Sequence, residues 1–254
     1  MKIPYNRSMV KLQTNLFGHV LYNYLKGDTT PFGIRRDDGS FEFPENPHAY
    51  FKNGMYEIEG KGMQYAKGVV LDVGLGAGRH ALYFQKRGLK VIGIDSDRYC
   101  VKTAKARGVK TAFTENIFQP KHIRKYTFDT VWLGGNNLGI AGTVQKLPKL
   151  FRILEKLTSD DGVVLATGFE VEKTNNPNHL AYHKRQRKKG KYPGQMKIRI
   201  EYKSSIGEWF RWLHVSSKLL KEGLQKTSWK LQKLIRARDG HYLAIIVKKK
   251  RRAR

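Results

Sequence analysis

From residue 68 onward the hydrophobic and polar positions alternate between two periods, one of strands and one of helices. The run Val69, Val70, Leu71, Val73 is short, β-branched and broken only by Asp72, as in a central parallel strand buried on both faces. VIGID, closing at Asp95, VKTAFTE from residue 109, TFDTVWLGG from 127 and GVVLATGFE from 162 are further strand-like runs. Helical segments separate them. Ser96 or Asp97 can cap a helix that runs to about Arg107 and ends at Gly108. Leu147, Leu150, Phe151, Leu154 and Leu157 fall on one helical stripe, and Pro148, tolerable only in a first turn, sets its start near Gln145. The acidic turn 159–162 then leads into the fifth strand. Strict β-α alternation with short links predicts an α/β fold with a parallel, doubly wound sheet.

The flanks read differently. After the turn cluster TNNPN at 174–178 comes a basic stretch, then MKIRIEYK, which alternates as a strand does. A helix over 216–223 precedes two strands, TSWKLQKLIRAR and HYLAIIVKK, joined by the hairpin signal Asp239-Gly240. The last strand therefore enters antiparallel. Ahead of the sheet, Leu12, Leu16, Phe17, Val20, Leu21, Tyr24 and Leu25 form an amphipathic helix, and aromatic residues recur through Phe32, Phe41, Phe43, Tyr50 and Phe51. Residues 1–67 are thus an extension that either packs over a sheet edge or serves as a lid. A domain over 68–249, with a basic insertion at about 171–210, and a basic tail at 250–254 complete the organisation.

Charge changes the picture. Lys and Arg number 49 against 21 Asp and Glu, a net +28. Eight of the basic residues lie between Lys184 and Arg199 with no acid, and six of the seven residues Lys248–Arg254 are basic. Such a field attracts polyanions, so RNA or a ribonucleoprotein is an expected partner, with a solvated face and a frayed tail as the alternative. Apolar runs such as 242–247 are too short to cross a bilayer, and MKIPYNR lacks a signal-peptide core. A soluble, cytoplasmic protein without a membrane partner is expected. Cys100 is the only cysteine, so no internal disulfide forms, and no metal site is expected.

The candidate chemistry lies where the first strand meets its helix. Gly74, Gly76 and Gly78 recur at every second position, which lets a ligand approach the main chain. About twenty residues on, Asp95 ends the second strand, at the spacing by which a carboxylate reaches a ribose. Together they describe a nucleoside pocket. A dinucleotide fingerprint would need its third glycine where Arg79 stands. Asp72, two residues ahead of the first glycine, would repel a pyrophosphate and attract a sulfonium. A unit that binds a nicotinamide dinucleotide is the alternative.

On these motifs, residues 68–170 resemble the class I S-adenosylmethionine-dependent methyltransferases. The resemblance implies a seven-stranded sheet of order 3-2-1-4-5-7-6 with the last strand antiparallel. It implies S-adenosyl-L-methionine as cofactor and S-adenosyl-L-homocysteine as product. The glycine loop, Asp72, Gly74, Leu75, Gly76, Gly78 and Arg79, would lie along the methionine and ribose. Asp95, with Ser96, would accept the ribose hydroxyls. Glu115 and Asn116 stand where the family contacts the adenine amine, or form a plain turn, and Ile117 and Phe118 would cover the ring. Gly134 opens the loop that brings the acceptor to the methyl group, where Asn136 and Asn137 would orient it or merely hold the loop. No Asn-Pro-Pro-aromatic box of adenine amino-methyltransferases occurs there, and the loop looks more like that of small-molecule N-methyltransferases. Glu170, His179, Tyr182 and His183 are further acceptor-side candidates, the two histidines being either functional or structural. Trp209, Phe210 and Trp212 read as core or lid packing. Three functions follow: a methyltransferase acting on nucleic acid or ribonucleoprotein, which the charge favours; a small-molecule N- or O-methyltransferase; and a non-catalytic module that binds the cofactor.

Overall fold

The computed structural model describes residues 11–250, so the N-terminal MKIPYNR segment and the end of the basic tail lie outside the described residues. The chain runs β1 (Lys11–Gln13), α1 (Leu16–Leu25), β2 (Phe32–Arg36), β3 (Phe41–Glu45), α2 (Glu57–Gly60), β4 (Val69–Val73), α3 (Arg79–Lys86), β5 (Lys90–Asp95) and α4 (Arg98–Ala106). It continues through β6 (Ala112–Thr114), β7 (Phe128–Leu133), α5 (Leu147–Leu157), β8 (Thr158–Phe169), α6 (Pro177–Lys188), β9 (Gln195–Tyr202), β10 (Ser205–Gly207) and β11 (Phe210–Leu213). α7 (Ser217–Gln225), β12 (Trp229–Arg236) and β13 (His241–Lys248) close it.

The central sheet has the order β12-β13-β8-β7-β4-β5-β6, which is the expected 3-2-1-4-5-7-6 read from the other edge. β4, β5, β6, β7 and β8 pair in parallel, and β13 lies antiparallel between β8 and β12. The sheet is buried on both faces. The leucines of α5 and α7 pack on one face with Trp229 and Tyr242. On the other, Ala81 and Phe84 of α3 and Val101 and Ala104 of α4 meet Trp132 and Leu165. Asp97 caps α4 by accepting the Tyr99 N–H at 2.8 Å, as the sequence predicts. The acidic turn 159–162 is a bulge inside β8, since the β7 register jumps from Thr158 opposite Phe128 to Val163 opposite Thr130.

A second sheet was not legible in the sequence. β1, β10, β9, β2 and β3 pair in that order, and β11 lies beside β9. Strands from the N-terminal extension therefore share one sheet with strands of the insertion. The helix read from Leu12 starts only at Leu16, because Asn15 takes a left-handed φ of 55° and breaks the chain direction. Leu12 belongs to β1 and is 73% exposed. The seam is β2 against β9, where Gly33 to Arg36 face Glu201 to Ile198. Glu201 lies at that seam with a side chain only 1% exposed. It accepts hydrogen bonds from Arg35 at 2.5 and 2.9 Å and from Arg199 at 2.7 Å. Burial pushes its pKa up, but the two guanidiniums pull it below the usual carboxylate value.

Removing that carboxylate strands two arginines at the seam. Glu201→Ala should lower the urea midpoint by about 2–3 kcal/mol of stability, a discounted buried-pair loss because both arginines are partly solvated. An unchanged midpoint would contradict this role.

Candidate functional site

Gly74, Gly76 and Gly78 carry φ values of 78°, 53° and 79°, a left-handed region that side chains rarely adopt. The loop they form links β4 to α3 and turns the chain over the end of β5, where the N–H groups of Gly74 and Leu75 bond the Ile94 carbonyl at 2.9 and 3.0 Å. A Cβ at Gly74 would strike Asn137, and one at Gly78 would come within 2.7 Å of Val109. Gly78 is therefore a packing glycine that starts α3 and does not line the pocket.

Asp95 holds the loop from below. Its two oxygens accept the N–H groups of Gly76 and Asp97, each at 2.9 Å, so each oxygen keeps capacity for one further donor. Burial raises its pKa to about 6, against those two N–H donors. Asp72 lies deeper, fully buried, with neither oxygen hydrogen-bonded. Burial and then the Asp95 charge push its pKa well up; it sits under the loop and does not line the pocket. The N-terminus of α1 roofs the site: the Gly18 N–H donates to Asp97 at 2.8 Å, and Asn15, Leu16 and Phe17 line the space beneath.

Three clamps fix the loop, and three of their members, Glu59, His80 and Arg107, were missed in the sequence because their partners are far along the chain. Glu59 accepts two hydrogen bonds from Arg79, at 2.8 and 3.0 Å, and lies 3.0 Å from His80 Nε2. Burial raises the Glu59 pKa, but His80 and Arg79 bring it to about 2. Burial keeps His80 neutral, so Arg79 is the charge that balances Glu59. Arg107 bonds the Ala77 carbonyl at 2.6 Å and the Phe51 carbonyl at 3.1 Å, tying the loop to the extension. Asn137 donates to the carbonyls of Val73 and Gly74 at 2.8 and 2.9 Å, so its amide braces the loop. Glu115 accepts the N–H groups of Lys121 and His122 at 2.7 and 2.9 Å. Its carboxylate is thereby spent on its own loop, and Asn116 likewise accepts from the Phe118 N–H at 2.9 Å.

A cavity of about 990 Å³ opens between the glycine loop and the second sheet. It brings together Gly74, Leu75, Gly76, Arg79, Asp95, Ser96, Glu115, Asn116, Ile117, Gly134, Asn136, Asn137, His179 and His183. Glu170 and Tyr182 lie outside its lining. Glu170 accepts the Ser217 N–H at 3.3 Å, at the start of α7. Tyr182 is buried and donates to Asp37 at 3.0 Å. Asn136 stands at φ 63°, anchored by its N–H to the Thr167 hydroxyl at 2.9 Å. Trp209, Phe210 and Trp212 line the cavity rather than the core.

Residues 70–162 match the family model described as a methyltransferase domain. The fold is similar to that of a methyltransferase from Bacteroides fragilis dependent on S-adenosylmethionine, solved with S-adenosyl-L-homocysteine. That structure is 24% identical at TM-score 0.80, over 95% of this chain and 98% of that one. It is also similar to the CcbJ methyltransferase from Streptomyces caelestis (10% identical, TM-score 0.59, 76% and 88% covered). The glycopeptide N-methyltransferase MtfA, complexed with S-adenosyl-L-homocysteine, matches at 14% identity and TM-score 0.54, over 78% and 91%. No curated protein matches the chain. Residues 70–162 therefore form a methyltransferase domain.

The residues of this methyltransferase domain fit its cofactor. Asp95 keeps acceptor capacity that a ribose could use, Ile94, Ile117 and Phe118 give apolar flanks, and the glycine loop leaves main chain bare. In a chain of net +28 the pocket is locally acidic, with Asp95, Asp97 and Glu115 on its lining, and the Arg79 charge is cancelled by Glu59. A sulfonium suits that field. No helix among the described residues is long and apolar enough to cross a membrane, and none of their acidic, histidine or cysteine clusters could hold a metal.

Two outcomes follow. Asp95 must be ionised to accept from a ribose, so calorimetric affinity for S-adenosyl-L-homocysteine should hold above pH 6 and decline as pH falls through about 6. Asp95→Asn should weaken it roughly 10- to 150-fold, the loss of one charge-assisted hydrogen-bond pair, and remove that pH dependence. Glu59 has a folded pKa of about 2 against an ordinary 4.5, so its contribution is complete above pH 4.5 and lost as pH falls from there toward 2. Glu59→Gln should cost about 3 kcal/mol at neutral pH by leaving Arg79 buried and unpaired, and should flatten that acid limb of an unfolding titration.

Proposed function

We propose that this methyltransferase acts on a small organic acceptor held inside the cavity between its two sheets. The observation that carries the reading is the wall opposite the glycine loop. Phe32 and Ile34 of β2, Met196 and Ile198 of β9 and Trp212 of β11 line it, so the acceptor space is apolar and built by the chain itself. A volume of about 990 Å³ suits a nucleoside cofactor plus a compact second molecule. Of the four Lys and Arg on the lining, Arg36 is engaged by Asp38 at 2.8 and 3.0 Å and Arg79 by Glu59, so only Lys146 and Arg211 lack a carboxylate partner there among the described residues, too few for a phosphate track. MtfA, a glycopeptide N-methyltransferase, is similar in fold and is named for an acceptor that is not a nucleic acid.

S-adenosylmethionine supplies a methyl group on a positively charged sulfur, an activated donor. The chain's contribution is alignment. Asp95 and the glycine loop fix the nucleoside, the loop from Gly134 to Gly142 sets where the acceptor stands, and proximity of this kind is worth roughly 7–11 kcal/mol of barrier. The Trp212 indole packs so closely against Gly139 that a Cβ there would strike it, so the acceptor wall and that loop are fitted to each other.

Charge supports a second reading, an RNA acceptor. Lys184, Arg185, Arg187, Lys188 and Lys189 are exposed on α6. Only His179 and His183 of that helix reach the cavity. Incubating the enzyme with methyl-labelled cofactor and a fractionated cell extract separates the two. Label is expected in the small-molecule fraction, and Lys184→Gln with Lys188→Gln and Lys189→Gln should leave that turnover within about twofold. Label in RNA, falling steeply with salt and with the triple variant, would overturn the small-molecule reading.

A further inference from the structure

The helix α6 presents two faces. Tyr182 and Gln186 make up its buried network: the Tyr182 hydroxyl bonds Asp37 at 3.0 Å, and the Gln186 amide donates to the Tyr182 oxygen at 2.5 Å and to the Gln195 carbonyl at 3.1 Å. That network fixes the rotation of the helix and turns His179 and His183, four residues apart, into the cavity. Their situations differ. His179 is engaged, lying 3.3 Å from the Thr174 hydroxyl and 3.5 Å from Glu42. His183 is 5% exposed, lines the cavity, and has no hydrogen-bond partner among the described residues. Its ring nitrogens are thus available to a ligand from the cavity side.

The groups facing His183 are His179 and Arg187 on its own helix, Arg36 of β2, Glu172 in the segment after β8, and His214 after β11. Arg187 and Glu172 pair with each other at 2.8 Å, and Arg36 pairs with Asp38. Burial, then Arg187, His179 and Arg36, lowers the His183 pKa, with Glu172 opposing. His183 is therefore a neutral base near pH 7. His214 also reaches the cavity, its ring 6.1 Å from that of Phe169, and burial followed by the neighbouring histidines holds it neutral at a pKa of about 4.

We propose that His183 takes the proton from the acceptor nucleophile, and that the acceptor is a planar aromatic compound bearing an ionisable hydroxyl. This rests on the small-molecule reading above. An uncharged amine is nucleophilic without a base, so an unengaged imidazole adds nothing to its transfer. A phenolic hydroxyl needs the base, and the imidazolium formed beside it holds the developing anion. Phe32, Met196 and Trp212 give a flat ring its apolar walls. In the step, the hydroxyl proton passes to a ring nitrogen of His183 as the oxygen forms its bond to the methyl carbon. The carbon–sulfur bond of the donor breaks, its electron pair stays on sulfur as a neutral thioether, and His183 returns the proton to water.

The test uses the full chain with methyl-labelled S-adenosylmethionine and three probes: 1-naphthol, 1-naphthylamine and 4-nitrophenol, a phenol that ionises near neutrality unaided. Label is expected in the two phenols. His183→Gln should cut turnover of 1-naphthol about 10²-fold or more and make its rate climb with pH. It should spare 4-nitrophenol and leave S-adenosyl-L-homocysteine affinity by calorimetry unchanged. Wild-type kcat/KM for 1-naphthol should fall only at pH values below the ordinary imidazole range, as His183 takes up its proton. Label in the amine alone, or in neither phenol, overturns the hydroxyl assignment, and His183→Gln with a wild-type rate and pH profile overturns the base. Either result leaves the small-molecule reading standing if extract label is in the small-molecule pool; label in RNA removes both.

Discussion

The architecture turns on one seam, the antiparallel pairing of β2 with β9. Residues 33–36 meet residues 198–201, so segments from opposite ends of the domain build a single wall. Main-chain hydrogen bonds alone give such a short pairing little to distinguish it from a slipped one. Glu201 favours the register, because its carboxylate, shut off from water and flanked by Arg199 of its own strand, also receives Arg35 from across the seam when Gly33 stands opposite it. A buried charge with two guanidiniums is costly in any other alignment. Closing a loop of this length adds only a logarithmic entropy cost, so a remote pairing is affordable where it covers a large apolar surface.

Electrostatics then separate the inside of the protein from its outside. The surface is crowded with lysines, yet the nucleoside end of the cavity is acidic. The separation is maintained by pairing off the cations nearest the loop: Arg79 with Glu59, Arg36 with Asp38, and Arg107 with main-chain carbonyls. A guanidinium held in this way positions backbone instead of repelling a sulfonium. The same logic leaves His183 and His214 uncharged at the acceptor end.

Much of this was legible in the chain, and what was not has a physical reason. The sheet order, the glycine turn, the Asp97 cap and the leucine stripe of α5 follow from local signals that act within a few residues. The second sheet does not. β2 and β3 are five residues each, β3 holds Pro44, and their aromatic content reads equally well as a packing extension. Glu59 and Arg107 carry no motif, since each is defined by a partner at least twenty residues away. Glu115 shows the converse error in kind: its position matches an adenine contact, but a carboxylate followed by a tight loop bonds the N–H groups of that loop first. Glu170 and Tyr182 were singled out by residue type and sequence neighbourhood, which do not encode the direction a side chain faces.

The contact between Gly18 and Asp97 joins the roof of the site to its floor. Asp97 uses one oxygen for Tyr99 at the start of α4 and the other for α1, so a single side chain both caps one helix and fastens the next. Leu16, Val20 and Leu21 are buried beside that contact, which makes the roof a packed part of the molecule and not a hinged flap. Losing Asp97 would therefore loosen the entrance and the cap together.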